Sequence, residues 1–270
     1  MIKSIMTTLV LLFTLTDSFA QETEKCVYLK RSVKENNRSI NVVMVPSAFG
    51  TDMANFETSM RGLWSKISTY EPFSDLVDSM NVIVAKAPHS SNSHCRYRGR
   101  LLYCDSGKAR AQASECMPDT NRYIITIHNN PRYGGKGNTD STTAYLGEHS
   151  ASIIVHELGH AIFRLSDEYL TKDGSLMGRN CTADRNCGRW SDLIDAGMAS
   201  CRPGCRNNSK YTSELSVMDL LSAPSFGHVN TRLTCCTFKS KTGAYPPLCN
   251  QYLNVGSGLD SFCRRQRWGL

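Results

Sequence analysis

Two histidines, His156 and His160, stand four residues apart in the string HELGHAIFRLSDEY, with Glu157 directly after the first. On an α-helix of 3.6 residues per turn they fall about 40° apart round the axis and one turn apart along it, so both imidazoles can meet one ion. Glu157, about 100° round from His156, flanks that face and can reach a water on the ion without ligating it. This is the H-E-x-x-H arrangement of zinc hydrolases, which predicts one Zn2+ per chain. A catalytic zinc takes three protein ligands and keeps one position for water. Asp167, seven residues past His160, can fold back as the third ligand; Glu168 differs by one residue in the turn, and spacing leaves both open. The expected chemistry is hydrolysis, in which the metal acidifies a water and polarises a carbonyl. Glu157 would take the water's proton as general base and pass it to the leaving amine.

The element that must carry these groups is amphipathic. Ile154, Val155, Leu158, Ala161, Ile162 and Leu165 form a broad apolar face at helical spacing, so one helix, ending near Leu165, would face a core and a cleft at once. Before it, INVVMV at 40–45 is a β-branched run stopped by Pro46 and predicts a buried strand. Residues 52–70 predict a helix, with Phe56, Met60, Leu63, Trp64 and Ile67 as its core stripe. Further strands are predicted over 81–87 and over 123–128, YIITIH, with the glycine-rich NNPRYGGKGN after the latter. That last strand is expected to form the upper rim of the cleft, where an extended peptide could pair with its edge. His128 is expected to end the strand rather than to ligate. Residues 89–118, poor in apolar runs, read as a disulfide-pinned excursion over the surface. Trp190 and Leu193 suggest a brief helix near 189–196.

Composition bounds the rest. Residues 1–20 carry Lys3, a short apolar run and Ser18-Phe19-Ala20 before Gln21, the pattern of a signal peptide. No later stretch is apolar for long enough to span a bilayer. Twelve cysteines after such a leader predict disulfides and secretion, extracellular or periplasmic. Sequence proximity suggests local pairs Cys95 with Cys104, Cys181 with Cys187 and Cys201 with Cys205, and different partners for Cys235 and Cys236. Sequons begin at Asn37, Asn180 and Asn207. The net charge of +7 is scattered apart from Arg264-Arg265-Gln266-Arg267, read as a solvated terminus. Repeats and phosphate-cradling glycine loops are absent, and nothing points to nucleic acid.

HELGHAIFRLSDEY resembles the H-E-x-x-H-x-x-x-x-L-x-D-E-Y signature of the immunoglobulin A peptidase family of zinc metallopeptidases. The similarity extends over INVVMVPSAFG, the EPF at Glu71 to Phe73, NVIVAKAP, the YGG at Tyr133 to Gly135, the segments at Asn180 and Arg189, and YTSELSVM at 211–218. The resemblance implies an α+β fold, zincin- or metzincin-like, in which a twisted mixed sheet and the active-site helix precede a disulfide-rich C-terminal subdomain. It implies one catalytic domain over 21–270, with lobes of about 40–166 and 167–270. His156, His160 and Asp167 would bind zinc, Glu157 would be the catalytic base, and Met218 would pack beneath the ligands, with Met177 its rival. The expected activity is that of a secreted, monomeric endopeptidase acting on peptide or protein substrates. A zinc-containing binding or toxin-like protein without turnover, and a zinc amidase on peptidoglycan peptides, are the alternatives.

Overall fold

A computed structural model describes residues 25–34, 38–86, 93–118, 121–169, 178–205 and 210–265. The expected signal peptide, Met177, and the sequons at Asn37 and Asn207 lie outside these residues. In chain order the elements are β1 (Cys26–Lys30), β2 (Ile40–Ser47), α1 (Met53–Ile67), α2 (Phe73–Leu76), β3 (Met80–Ala85), β4 (Arg96–Arg98), β5 (Leu101–Tyr103), α3 (Ser106–Cys116), β6 (Arg122–His128), β7 (Gly135–Gly137) and β8 (Ser141–Tyr145). Then come α4 (Ser150–Phe163), α5 (Ser191–Asp195), β9 (Arg202–Gly204), β10 (Lys210–Thr212), α6 (Gly227–Thr242) and α7 (Leu259–Arg265).

Eight strands form one twisted mixed sheet in the order β1-β3-β2-β6-β8-β7-β5-β4. The central strands β3, β2, β6 and β8 run parallel, while β1, β7 and β4 pair antiparallel to β3, β8 and β5. Strands covered on both faces read as unbroken apolar runs rather than alternating ones, which is why INVVMV and YIITIH are so hydrophobic. One face carries Val42, Met44, Ile125 and Ile127 into a core with Phe56, Met60 and Ile67 of α1 and with α4. Val229, Leu233 and Phe238 of α6 and Phe262 of α7 join that same core. The opposite face packs Val43, Val45, Ile83 and Ile124 against Ala109, Ala113 and Met117.

Three expectations are corrected. Pro46 does not end β2, which continues to Ser47, with Pro46 paired to Ile127. The neighbouring β3 pairs only as far as Met44, so the missing proline N–H falls beyond the β3 ladder. Residues 89–118 are no mere surface excursion: α3 packs on the sheet face formed by β2, β3 and β6, and Cys116 is tied to Cys26. It buries alanines and Gln112 rather than large side chains, so no apolar stripe betrays it. Lastly, β6 lies in the middle of the sheet, and the strand that meets Glu157 is β7.

All twelve cysteines pair. Cys95–Cys104 and the separate partners of Cys235 and Cys236, Cys249 and Cys263, agree with expectation. The other local guesses fail: Cys181 bonds Cys205 and Cys187 bonds Cys201, one loop nested in the other. The bridge of Thr182 to Tyr211 of β10, with the pairing of β10 to β9, brings the ends of that segment together, which sequence distance alone does not report. Among the described residues no helix is long and apolar enough to cross a membrane.

Phe56 is fully buried between α1 and the sheet, in edge contact with Phe49 at 4.8 Å. Phe56→Ala should therefore cost about 3–5 kcal/mol. Urea unfolding with the disulfides intact measures this, and a loss below about 1 kcal/mol would contradict the packing of α1.

Candidate metal centre

Of the fourteen residues of α4, twelve are buried, and the two that are not are Glu157 and His160. The apolar face seats the helix against β8 and leaves the reactive groups at the cleft. Arg164 then takes a left-handed conformation (φ 58°), and the Leu165 N–H reaches back to the Gly159 carbonyl at 3.2 Å. This ends the helix two residues earlier than its apolar pattern and folds 165–169 back across its last turn.

That reversal brings His156, His160 and Asp167 together. Asp167 Oδ1 lies 3.0 Å from His156 Nε2 and 3.2 Å from His160 Nε2, and the two Nε2 atoms are 3.1 Å apart. Each ring is oriented from behind by a backbone carbonyl: His156 Nδ1 meets Val217 O at 2.8 Å and His160 Nδ1 meets Leu165 O at 2.7 Å. Carbonyls only accept, so both Nδ1 atoms carry the proton and a neutral ring presents a bare lone pair at Nε2. Three lone pairs thus converge on one point, and Asp167 Oδ1 is buried with no hydrogen-bond donor. Ligand bonds of 2.0–2.2 Å at tetrahedral angles put donor atoms about 3.3 Å apart, so the triangle fits a divalent cation. Among the described residues it is the one such grouping of His, Cys, Asp and Glu. Without a cation, a proton must serve. Burial disfavours a charged His160, but the Asp167 carboxylate and Glu157 outweigh it and hold the pKa above the ordinary imidazole value.

The floor of the site is Met218, fully buried. An ideal Cβ on Gly159 would lie 2.5 Å from Met218 Sδ and 2.8 Å from the Phe226 ring, so any side chain here would have to displace Met218 and Phe226. The roof is β7. A Cβ on Gly137 would lie 2.1 Å from Glu157 Oε2, and the Gly137 N–H bonds the Glu157 carboxylate. The glycines of NNPRYGGKGN therefore form an ordered strand pressed onto the helix. Burial raises the Glu157 pKa, against the opposing pull of His156 and His160. Tyr169 stacks on His156 at 6.4 Å and bonds Asp167 through its hydroxyl; burial and the Asp167 charge raise its pKa. His128 is elsewhere, at the end of β6, against Ser47 Oγ at 3.2 Å.

Glu168, the rival third ligand, points the other way. It is fully buried and accepts from Ser216 Oγ, from Thr212 Oγ1 at 2.7 Å, and from Asn180 Nδ2 and Asn230 Nδ2 at 3.1 Å each. Its own N–H donates to Met218 O at 2.9 Å, and its carbonyl accepts from the Cys205 N–H at 2.9 Å. Burial raises its pKa, while the four donors oppose the rise. One carboxylate thereby ties the Asp167 turn to the Met218 turn, to β10, to the Cys181 segment and to α6. Asn180 spends its amide on Ser166 and Glu168, so its sequon nitrogen is inaccessible in the fold. Spacing could not reveal this hub, because its donors come from three separate stretches of chain, around Asn180, Thr212 to Ser216 and Asn230. Removing the charge while keeping the shape, Glu168→Gln, should cost about 1–3 kcal/mol because a donor then faces the Ser216 hydroxyl. Glu168→Ala, which strands all four donors, should cost more. An unchanged urea midpoint for both variants would rule the hub out.

Residues 27–216, well over half of the chain, match the family described as IgA Peptidase M64. No curated protein matches the chain. The matched stretch holds α4, the Asp167 turn, Glu168 and Ser216, and ends two residues before Met218. The chain therefore belongs to the IgA Peptidase M64 family and is a peptidase.

Proposed function

We propose that the protein is a secreted, zinc-dependent endopeptidase. His156, His160 and Asp167 hold the metal, and Glu157 serves as general base. The observation that carries this reading is the convergence of His156 Nε2, His160 Nε2 and Asp167 Oδ1 on one point. Zinc bound there would supply Lewis-acid activation of a water and of the scissile carbonyl. The remaining work belongs to the chain. Glu157 takes a proton from the water as its oxygen bonds to the carbonyl carbon, then delivers that proton to the amine nitrogen as the C–N bond breaks. The Gly137 N–H holds the Glu157 carboxylate, and the Tyr169 hydroxyl braces Asp167. Met218 takes the place of the methionine beneath the ligands in a zincin- or metzincin-like site.

Secretion rests on the leader-like residues 1–20 and on six disulfides, which persist in oxidising compartments. The catalytic domain then runs over 21–270, its lobes meeting near residue 166. A free base beside an open triangle supports an enzyme over a binding protein with a structural metal, since structural zinc sites are closed by a fourth ligand.

Glu157→Gln should retain zinc, measured by atomic emission, and lose about 10²- to 10⁴-fold in turnover of unfolded casein. Equal turnover would sink the assignment of the base. Asp167→Asn should instead reduce the zinc content. If Glu168→Gln emptied the site and Asp167→Asn did not, the third ligand would be Glu168. Chelation should abolish cleavage and added zinc restore it. Release of peptidoglycan stem peptides without casein cleavage would favour an amidase.

A further inference from the structure

Three exposed arginines that the mechanism above does not use crowd one hairpin beside the site. Arg96 and Arg98 lie on β4, and Arg100 follows the turn into β5. The hairpin is closed by Cys95–Cys104 and paired through Leu101 to Gly135 of β7. Gly135 stands two residues before Gly137, which presses on Glu157. The hairpin's position is fixed by several contacts with the segment leading into β7. The Tyr97 hydroxyl donates to Arg132 O at 2.6 Å, and the Arg132 guanidinium lies 4.5 Å above the Tyr97 ring and donates to Gly99 O at 3.3 Å. A Cβ on Gly134 would lie 3.0 Å from Arg100 O.

Among the described residues, none of Arg96, Arg98, Arg100, Arg132 and Lys136 pairs with a carboxylate. The nearby acids are committed elsewhere. Asp105 caps α3 through Gly107 and Lys108, and Asp140 binds the Arg110 guanidinium through both oxygens. Three of the cations lie against rings or carbonyls, Arg98 and Lys136 over Tyr103 at 5.4 and 4.3 Å and Arg132 as above, while Arg96 and Arg100 are exposed. Clustered like charges without carboxylate partners leave a positive field along one wall of the cleft, which draws in anions.

We propose that the β4–β5 hairpin is a specificity element for peptide segments that carry Asp or Glu beside the scissile bond, with Arg100 as the residue that pairs with the acidic side chain. The inference rests on the peptidase reading of the neighbouring centre. A guanidinium presents donors in a fork that matches a carboxylate, and a disulfide-pinned hairpin needs little ordering to offer it. At an exposed rim such a pair governs encounter and selectivity, and salt screens it.

The test uses the zinc-loaded full-length protein and peptides identical except for Glu or Gln at each position flanking the bond. At low salt the Glu peptide should be favoured by about tenfold in kcat/KM at one or more positions, the preference fading at high salt. Arg100→Gln should flatten the ratio and Arg100→Glu invert it. A wild-type protein indifferent to Glu or Gln, or an unchanged preference in Arg100→Glu, overturns the proposal. So does heparin binding without Glu-over-Gln discrimination, which would make the hairpin a polysaccharide site. If no peptide is cleaved, the hydrolase reading fails instead, and fluorescence anisotropy of the same peptides decides the hairpin. Tighter binding of Glu peptides that is lost in Arg100→Glu upholds it; no difference overturns it.

Discussion

Two backbone carbonyls decide the chemistry of this protein. Val217 O and Leu165 O each take the Nδ1 proton of one histidine, and the other nitrogen of each ring is left with an unshared pair aimed at Asp167. Had either carbonyl been a donor, the tautomer would reverse and an Nε2–H would close the gap. The arrangement is unfavourable as it stands, since three electron-rich atoms sit near van der Waals contact. It becomes favourable when a cation occupies the centre. The two carbonyls come from distant stretches: Leu165 ends the reversal after α4, and Val217 belongs to the turn beneath it.

Holding both carbonyls in place is the task of a buried anion. Glu168 lies next to Asp167 in sequence yet is turned into the protein, where neutral donors replace the water it lost. A lone buried charge is strongly unfavourable unless fully hydrogen-bonded, and here its four donors come from three stretches of chain. The need to satisfy one carboxylate therefore fixes several loops at once. Adjacent acids in the DEY string thus divide the labour: Asp167 faces the site and Glu168 holds the frame that aims it. Around this frame the nested disulfides Cys181–Cys205 and Cys187–Cys201 limit how far the segment supplying Asn180 can move. The Arg202 side chain adds a clamp on the Met218 turn, through Ser213 O at 2.7 Å and Asp219 at 2.6 Å.

Much of this was readable along the chain because it is encoded locally. Helical spacing set His156 and His160 on one face, and the stripe from Ile154 to Leu165 set the opposite face in the core. Continuous apolar runs marked β2, β3 and β6. Features built from weak local signals were not readable. The small buried residues of α3, Ala109, Gln112 and Ala113, give almost no amphipathic pattern, yet the helix covers β2, β3 and β6. Gly137 and Gly159 read as ordinary loop and helix glycines, and their meaning lies in atoms contributed by other elements, the Glu157 carboxylate and Met218. Disulfide partners followed the β9–β10 pairing rather than proximity in sequence.

The order of residues thus marked the candidate groups: two imidazoles one turn apart, a neighbouring glutamate and an acid just past the helix, all properties of a periodic backbone. It left undecided which of Asp167 and Glu168 faces the imidazoles, because one residue of rotation in a turn exchanges them. Folding resolved the choice through the surroundings of the two side chains. Four donors from separate segments meet only Glu168, and both imidazole Nε2 atoms meet only Asp167. Contacts between segments far apart in sequence carry no local period, and so they become visible only when the chain is closed on itself.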